Sequence, residues 1–156
     1  MVLPHRTLHE RYELHSEVGR GGMGRVWRAH DTGLNRAVAV KEILLGPGLD
    51  EEERARVTAR ARREAQATAM GQHPNIVTVY DIVEDDGRPW IVMELLDGDS
   101  LLRLVRERGP VPPERAAAWA LGLLDALETA HGQGITHRDV KPENVMVTAS
   151  GRVVLT

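Results

Sequence analysis

Hydrophobic and polar positions alternate with a period of two along the first part of the chain, starting at Tyr12. Turns at 19–24 and 31–35 interrupt the alternation and separate three extended segments. Extended segments joined by short turns are typical of an antiparallel meander, so three strands are expected here. The same pattern at 75–83 and 89–94 predicts two more strands on either side of a polar turn.

The hydrophobic spacing changes to a helical period near Asp50. Asp50 and Glu53 have the spacing of a capping box, in which two side chains satisfy the free amides at a helix start. Gly71 and Pro74 are typical of a helix end. We therefore predict a long helix over about 50–70.

Two further helices are predicted at 101–108 and 114–131, where apolar residues recur at intervals of three and four. A small hairpin is predicted at 144–148 and 152–156. This order of strands, helices and hairpin predicts a mixed α+β protein. The longer helix carries an apolar stripe suited to a core, formed by Trp119, Leu123, Ala126, Leu127 and Ala130.

Composition and charge narrow the classes of function. The 156 residues are enough for about one domain, and the net charge of −3 offers no basic surface for a nucleic-acid partner. Cysteine is absent, which excludes disulfides, thiolate metal sites and cysteine nucleophiles. No apolar run reaches the ~18 residues of a membrane span, so a cytoplasmic chain without a membrane segment is expected.

Three glycines, Gly19, Gly21 and Gly24, have the spacing of a dinucleotide-binding turn. That motif requires a helix directly after the glycines, whereas 26–29 continues as a strand, and no P-loop Gly-Lys-Ser/Thr follows. What remains is a glycine-rich hairpin tip. Such a tip either lies over phosphates or is an ordinary flexible turn.

Lysine is rare, because eighteen of the twenty basic residues are arginine and only Lys41 and Lys141 are lysine. Lys41 ends the apolar strand segment 37–41, where an unpaired charge would be costly. Glu64 is the single carboxylate on the least polar stripe of the long helix. An ion pair between Lys41 and Glu64 would place the ammonium for a phosphate, and a purely structural ion pair is the alternative.

A further group of polar residues lies in the irregular segment 136–144, which contains Asp139, Lys141 and Asn144. A carboxylate can orient a hydroxyl, an ammonium can face a transferring phosphoryl group, and an amide oxygen can hold Mg²⁺. These are the parts that phosphoryl transfer to an alcohol requires. The alternative is a loop that merely contains polar residues.

Together these motifs resemble the protein kinase superfamily, and most closely the bacterial eukaryotic-like Ser/Thr protein kinases. Segment 18–26 resembles the phosphate-covering loop, 37–41 the third-strand lysine motif, 92–98 the hinge, and 137–144 the catalytic loop. Glu64 falls where the family has its helix glutamate. The resemblance implies transfer of the γ-phosphate of Mg-ATP to a Ser or Thr hydroxyl of a protein substrate.

The resemblance also implies a role for each matching residue. Asp139 would orient the substrate hydroxyl, Lys141 would neutralise the γ-phosphate, and Asn144 would hold Mg²⁺. Lys41, held by Glu64, would contact the α and β phosphates of ATP. The residues implied to contact the nucleotide are Val18, Gly19, Arg20, Gly21, Gly22, Met23, Gly24, Arg25, Val26, Ala39, Lys41, Met93, Glu94 and Leu96.

The implied fold is α+β and bilobal, with an antiparallel five-stranded sheet and one long helix in a first lobe at about 12–95. An incomplete, mostly helical second lobe covers 96–156. The chain ends where the family's Asp-Phe-Gly motif would follow, so we expect these 156 residues alone to have little kinase activity.

The end of the sequence leads to a further expectation and to alternatives. The stripe around Leu123 would lose helices that it packs against in the family, and would lie exposed. A non-catalytic nucleotide-binding regulatory module and an inert gene remnant remain as alternatives to a kinase. A full-length parent protein could be membrane-anchored.

Overall fold

The computed structural model describes residues 6–21, 24–70 and 72–156, apart from the side chains of Glu64 and residues 67–70. Strands and helices follow one another along the chain in a mixed α+β arrangement, as predicted. Among the helices of the described part of the chain, none is long and apolar enough to cross a membrane.

Two structural units share the chain. The first comprises residues 1–66 and 79–95, and the second comprises residues 67–78 and 96–156. The segment 67–78 belongs to the second unit because its main chain pairs with the end of the chain, where the Leu155 amide donates to the Asn75 oxygen. That the first and second units correspond to kinase lobes divided near residue 95 stays a prediction.

The first unit contains a six-stranded antiparallel sheet. Its spatial order is β1-β2-β3-β4-β6-β5, so consecutive strands are neighbours except where β6 pairs with β4. The strands are β1 Arg6–Leu8, β2 Tyr12–Gly21, β3 Gly24–Asp31, β4 Arg36–Ile43, β5 Val79–Asp85 and β6 Arg88–Met93.

The prediction of five strands is wrong by one, because Arg6–Leu8 adds an edge strand that pairs with β2. The turn between them has positive φ at both central residues, 53° at His9 and 55° at Glu10. Turns of this kind usually contain glycine or asparagine, so the sequence lacks the usual signal for a hairpin. Leu8 is fully buried, which explains why so short a strand is held in place.

The sheet curls, so that its two edge strands approach each other. The Tyr12 hydroxyl on β2 donates a hydrogen bond of 2.7 Å to Asp81 on β5, and Arg6 on β1 pairs with Asp85 and Asp86. Apolar side chains on the inner face fill the curl. They are Leu8, Tyr12, Leu14, Trp27, Ala29, Val38, Val40, Val83, Trp90 and Val92.

Helix α1, Glu51–Met70, begins at the predicted capping box. The Glu53 amide donates to the Asp50 carboxylate at 2.8 Å, and the Asp50 amide donates to the Glu53 carboxylate at 3.0 Å. Ala61 and Ala65 on one face are buried, and the arginines of this helix are exposed. The basic residues of α1 therefore form a solvated face.

The second unit combines a three-stranded sheet with two helices. β7 Gly98–Ser100 was not predicted, because three polar residues give no strand pattern; it pairs with the first strand of the predicted hairpin. The other elements are α2 Leu101–Arg108, α3 Pro113–Gly132, a short 3₁₀ turn at Pro142–Asn144, β8 Val145–Thr148 and β9 Val153–Leu155.

The apolar stripe of α3 faces inward, contrary to the expectation that it would be exposed. Trp119, Leu123 and Leu127 pack against the apolar side chains of β8 and β9. The exposed leucines lie on the other side of α3, where Leu121 is 68% and Leu124 is 61% exposed. The sheet formed by β7, β8 and β9 thus packs against the apolar stripe, which was expected to need other helices for its burial.

One predicted strand begins later than expected. The pattern placed it at Asn75, whereas β5 starts at Val79. The intervening residues pair instead with β9, through a parallel bridge between Ile76 and Leu155. The Asn75 side chain also donates to the Val153 oxygen at 2.7 Å. Periodicity alone could not distinguish pairing within one sheet from pairing with another.

Candidate active site

The predicted glycine-rich hairpin is formed by the ends of β2 and β3. Gly19 lies opposite Val26, and Gly21 lies opposite Gly24. Gly22 and Met23, at the predicted tip, lie outside the described residues. The two strands extend further toward the tip than the sequence indicated, so the glycine segment is mostly strand.

The glycines of this hairpin differ in what the fold demands of them. Gly24 has a φ of 153°, and a β-carbon there would lie 1.9 Å from the main-chain oxygen of Glu42 on β4. A β-carbon at Gly19 would have only the Val26 side chain nearby, at 3.8 Å. Close packing therefore explains Gly24, whereas nothing among the described residues requires glycine at position 19.

Polar side chains flank the hairpin. The Arg20 guanidinium donates to both carboxylate oxygens of Glu17, at 2.8 and 3.0 Å. This hydrogen bonding raises the pKa of Arg20 and lowers the pKa of Glu17. Arg25 and Val26 are partly buried on β3, and Val18 is exposed on β2.

Four residues predicted to contact the nucleotide lie on one face of the sheet. Lys41 pairs with Val26 on β3 and with Ile91 on β6, while Ala39 pairs with Met93. Residues opposite each other in an antiparallel pair, and residues two apart on one strand, share a face. Val26, Ala39, Lys41 and Met93 are therefore together on the face opposite the apolar core.

The predicted partner of Lys41 lies on α1, where Glu64 follows the buried Ala61. The Glu64 side chain is outside the described part of the structure, so the Lys41–Glu64 ion pair stays a prediction. Glu94 and Leu96, predicted to bind adenine through their main chains, follow the end of β6 in a segment without regular secondary structure and are partly buried.

Three polar residues of the segment 136–144, Asp139, Lys141 and Asn144, form one hydrogen-bonded cluster. The Lys141 Nζ lies 2.9 Å from Oδ2 of Asp139. The Asn144 side-chain amide donates to the same Oδ2 at 3.0 Å and to the Asp139 main-chain oxygen at 2.9 Å. The structure thus brings Asp139, Lys141 and Asn144 together, as the spacing predicted.

Electrostatics keep both charged members of this cluster ionised. The hydrogen bond from Lys141 lowers the pKa of Asp139, with further lowering by the Lys141 charge and by Asn144, and it outweighs desolvation. The same hydrogen bond raises the pKa of Lys141. At neutral pH the site therefore presents a carboxylate beside an ammonium.

Two neighbours of the cluster were not assigned a role from the sequence. The His137 Nδ1 accepts from the Asp139 amide at 3.2 Å, and its Nε2 lies 3.0 Å from the Thr156 main-chain oxygen. Since Nδ1 accepts, the ring proton belongs on Nε2. The Thr156 amide in turn donates to the Asn144 oxygen at 2.9 Å. His137 and Thr156 thus tie the cluster to the end of β9.

Arg138 has a φ of 66°, which is unusual for a residue with a side chain. Left-handed conformations of this kind cost about 1–3 kcal/mol and concentrate at functional sites. At this position the conformation lets the residues on either side, His137 and Asp139, form their hydrogen bond. No sequence signal could have found it, because arginine gives no indication of positive φ.

A magnesium ion fits this site only in part through protein ligands. Among the described residues no group of three or more His, Cys, Asp or Glu side chains could hold a metal. The side-chain nitrogen of Asn144 donates both of its hydrogen bonds. Its side-chain oxygen is therefore the atom that can accept a hydrogen bond or bind a cation. Mg²⁺ is commonly held by one or two protein oxygens together with nucleotide phosphates, and Asn144 suits that role.

Known proteins resemble the chain in sequence and in structure. A probable Ser/Thr protein kinase of Streptomyces coelicolor is 47% identical over 95% of this chain and 22% of its own length. The kinase PknD of Mycobacterium tuberculosis is 43% identical over 89% of this chain and 20% of its own length. The chain therefore spans about a fifth of these relatives.

Solved structures have the same fold. The crystal structure of the Mycobacterium tuberculosis PknI kinase domain matches with a TM-score of 0.84 at 30% identity, covering 99% of this chain and 62% of that domain. The apo form of PpkA-294 matches with a TM-score of 0.75 at 26% identity. The sequence model of the protein kinase domain matches residues 12–156, and the chain belongs to the protein kinase family.

Proposed function

We propose that this chain forms the ATP-binding and catalytic-loop part of a Ser/Thr protein kinase, which transfers the γ-phosphoryl group of Mg-ATP to a protein hydroxyl. The observation that carries the proposal is the cluster of Asp139, Lys141 and Asn144, with Lys141 Nζ 2.9 Å from the Asp139 carboxylate. The identities of the relatives support the class of reaction.

Asp139 is proposed to receive the hydrogen bond of the substrate hydroxyl. A carboxylate with a lowered pKa is a weak base, so its main contribution is to orient the hydroxyl toward phosphorus. Transfer through a loose transition state needs little base strength, and the proton leaves late. A strongly basic residue would bring no advantage at this position.

Lys141 is proposed to face the γ-phosphoryl group. Its ammonium already lies beside Asp139, so the hydroxyl and the transferring group would meet at neighbouring positions. A fixed positive charge at this place stabilises the negative charge that spreads over the phosphoryl oxygens. Lysine two residues after the aspartate is also the pattern that the resemblance associates with Ser/Thr kinases.

The glycine hairpin and Lys41 are proposed to hold the phosphates of ATP. Lys41 shares its face with Val26, Ala39 and Met93, which would contact the adenine and ribose side of the nucleotide. Gly19, which the fold itself does not require, would leave room for the phosphates to approach the main chain. Glu64 is proposed to hold the Lys41 ammonium.

Asn144 is the proposed protein ligand of Mg²⁺. When bound, the ion would neutralise phosphate charge.

The proposed partners are ATP and a protein that contains Ser or Thr. The proposed location is the cytoplasm, where ATP is available.

The 156 residues contain no phenylalanine and hence no Asp-Phe-Gly triplet. The aspartate of that triplet holds Mg²⁺ in protein kinases. We therefore propose that a polypeptide of these residues alone binds ATP but transfers phosphate at least ~10²-fold more slowly than a whole kinase domain. Such a polypeptide would behave as the second candidate, a nucleotide-binding module without catalysis.

Titration of the 156-residue polypeptide with a fluorescent ATP analogue tests the proposal. Lys41→Met removes the ammonium at the phosphates and should weaken binding by about tenfold or more, the value of one charge-assisted hydrogen bond. Asp139→Asn should leave the affinity within about twofold, because Asp139 faces the hydroxyl rather than the nucleotide. Asn144→Ala should reduce only the part of the affinity that depends on Mg²⁺.

Arg56→Gln is the matched control, because Arg56 is an exposed basic residue on α1 whose ion partner, Glu52, is also exposed. It should bind the analogue as the unsubstituted chain does. Saturable binding that all four variants share equally would contradict the assigned roles. No binding by a folded, unsubstituted polypeptide would contradict the proposal that these residues form the nucleotide site.

A further inference from the structure

Glu42 is a buried carboxylate next to the predicted phosphate-binding lysine. Only 6% of Glu42 is exposed, although its partner Arg88 at the start of β6 is 47% exposed at its side chain. The Arg88 Nη1 donates to Glu42 Oε1 at 3.1 Å. Arg6 is close enough that the Glu42 charge contributes to raising its pKa, after the larger effects of Asp85 and Asp86.

The main chain of Glu42 also bounds the glycine hairpin. Its oxygen occupies the space that a β-carbon of Gly24 would need. Across the β3–β4 pair, Arg25 is opposite Glu42 and Val26 is opposite Lys41. The position of Glu42 therefore determines where the return strand of the hairpin lies and which residue faces Lys41.

The hydrophobicity of the β4 side chains hardly distinguishes which face of the strand should point toward the core. Val38 and Val40 are fully buried on the inner face, but Ala39 on the opposite face is also only 5% exposed. A one-residue slip exchanges the two faces of a strand, and it is poorly opposed where both faces are apolar. The consecutive charges of Lys41 and Glu42 are what distinguish the two faces at this end of β4.

Buried ion pairs contribute little net stability, because desolvation offsets their attraction, and apolar replacements are often as stable. Their best-attested use is to select one register among several. We propose that the Glu42–Arg88 pair is a positioning pair that fixes the register of β4 against β3 and β6, and thereby holds Lys41 and the glycine hairpin for the nucleotide. This inference rests on the proposed nucleotide-binding function.

A purely structural role makes a different prediction. If the pair only stabilised the sheet, its loss would lower the unfolding temperature and leave the affinity of the folded molecules unchanged. A positioning role instead changes the nucleotide affinity of molecules that remain folded. The double variant Glu42→Met with Arg88→Leu separates these roles, because it removes both charges and leaves apolar side chains in their place.

The double variant and the single variant Glu42→Gln should be compared with Glu84→Gln. Glu84 lies on β5, in the same hairpin as Arg88, but its side chain is 51% exposed and the guanidinium of Arg62 is 3.8 Å away. Two measurements are made on each folded protein: the affinity for a fluorescent ATP analogue below the unfolding temperature, and the amide hydrogen exchange of residues 24–43.

We expect the double variant to unfold at the same temperature as the unsubstituted chain or higher, and to bind the analogue roughly 3- to 30-fold more weakly. Amides of 24–43 should exchange faster in it, and Glu42→Gln should show a smaller change in the same direction. Glu84→Gln should match the unsubstituted chain in both measurements.

Unchanged affinity and unchanged exchange in a folded double variant would overturn the inference. If the unsubstituted chain does not bind nucleotide, the proposed function fails, and exchange alone then decides on the positioning role. If neither variant at Glu42 folds, the pair is a requirement for folding and its specific role in positioning is overturned.

Discussion

Asp31 and Asp139 are carboxylates whose pKa is lowered by a basic neighbour, but their surroundings differ. Asp31 is fully buried and accepts hydrogen bonds of 2.7 and 2.9 Å from the Arg11 guanidinium, and the amides of Gly33 and Leu34 also donate to it. Asp139 is partly exposed. The buried carboxylate is suited to holding the sheet together, and the exposed one to contacting a substrate.

The hydrogen bond from Arg11 lowers the pKa of Asp31 from 3.8 to about 2. Since the folded value is the lower one, the stabilisation is complete above pH 3.8 and is lost as the pH falls toward 2. Asp31→Asn should therefore lower the free energy of unfolding by about 2 kcal/mol at neutral pH and flatten its dependence on acid. Urea unfolding at several pH values measures both effects.

Asp97→Asn, at an exposed carboxylate, is the control for this prediction and should leave the unfolding curve and its acid dependence unchanged. A variant at Asp31 that unfolds at the same urea concentration as the unsubstituted chain at pH 7 would show that the buried ion pair adds no net stability.

At the scale of elements, the glycine hairpin combines a structural demand with a proposed functional one. A β-carbon at Gly24 would collide with the main chain of β4, whereas one at Gly19 would meet only ordinary van der Waals contact. The two glycines of one motif therefore have different reasons to be glycine. Sequence spacing alone could not separate them, because it treats all three glycines alike.

Gly24→Ala should lower the free energy of unfolding by about 1–3 kcal/mol, the usual cost of forcing atoms into a packed region. Gly19→Ala should change it by no more than about 1 kcal/mol, and should weaken the binding of an ATP analogue. Thermal unfolding and a nucleotide titration of the two variants check this. Equal destabilisation by both substitutions would contradict the packing difference.

Helix α3 allows a second matched comparison. Leu123 packs against the β7–β9 sheet, and Leu124 is 61% exposed on the other side of the helix. Leu123→Ala should cost about 2–4 kcal/mol of stability, and Leu124→Ala about 0.5 kcal/mol or less. Urea unfolding measures both. The reverse order would restore the original expectation that the stripe around Leu123 is exposed.

The elements that the sequence predicts well are those whose signal is local. The capping box at Asp50 and the period of α1 locate a helix start without reference to the rest of the chain. β1 and β7 were missed because each has three residues and is held by its neighbours rather than by its own pattern. The turn at His9 and Glu10 has positive φ without glycine, so nothing local marks it.

The candidate site, like the helices and strands, was predictable only where its signal is local. Asp139, Lys141 and Asn144 lie within six residues, and their spacing alone was enough to bring them together. The roles of His137 and Thr156 depend on hydrogen bonds across 19 residues, which spacing cannot show. The contact between Gly24 and Glu42 likewise depends on the register of β3 and β4.

At the scale of the whole molecule, the first unit carries the glycine hairpin and Lys41, and the second carries the cluster around Asp139. Membership of the protein kinase family rests on a match over residues 12–156. The relatives in sequence are more than four times as long as this chain, so substrates remain proposals. What the chain itself can be tested for is recognition of nucleotide phosphates.

The most direct test is the affinity of the 156-residue polypeptide for ATP and for adenosine, each measured with the unsubstituted chain and with Lys41→Met. We predict that the unsubstituted chain binds ATP more tightly than adenosine, and that Lys41→Met removes most of this difference while adenosine affinity stays within about twofold. Equal weakening of ATP and adenosine by Lys41→Met, or no binding of either ligand to the folded chain, would contradict the proposed site.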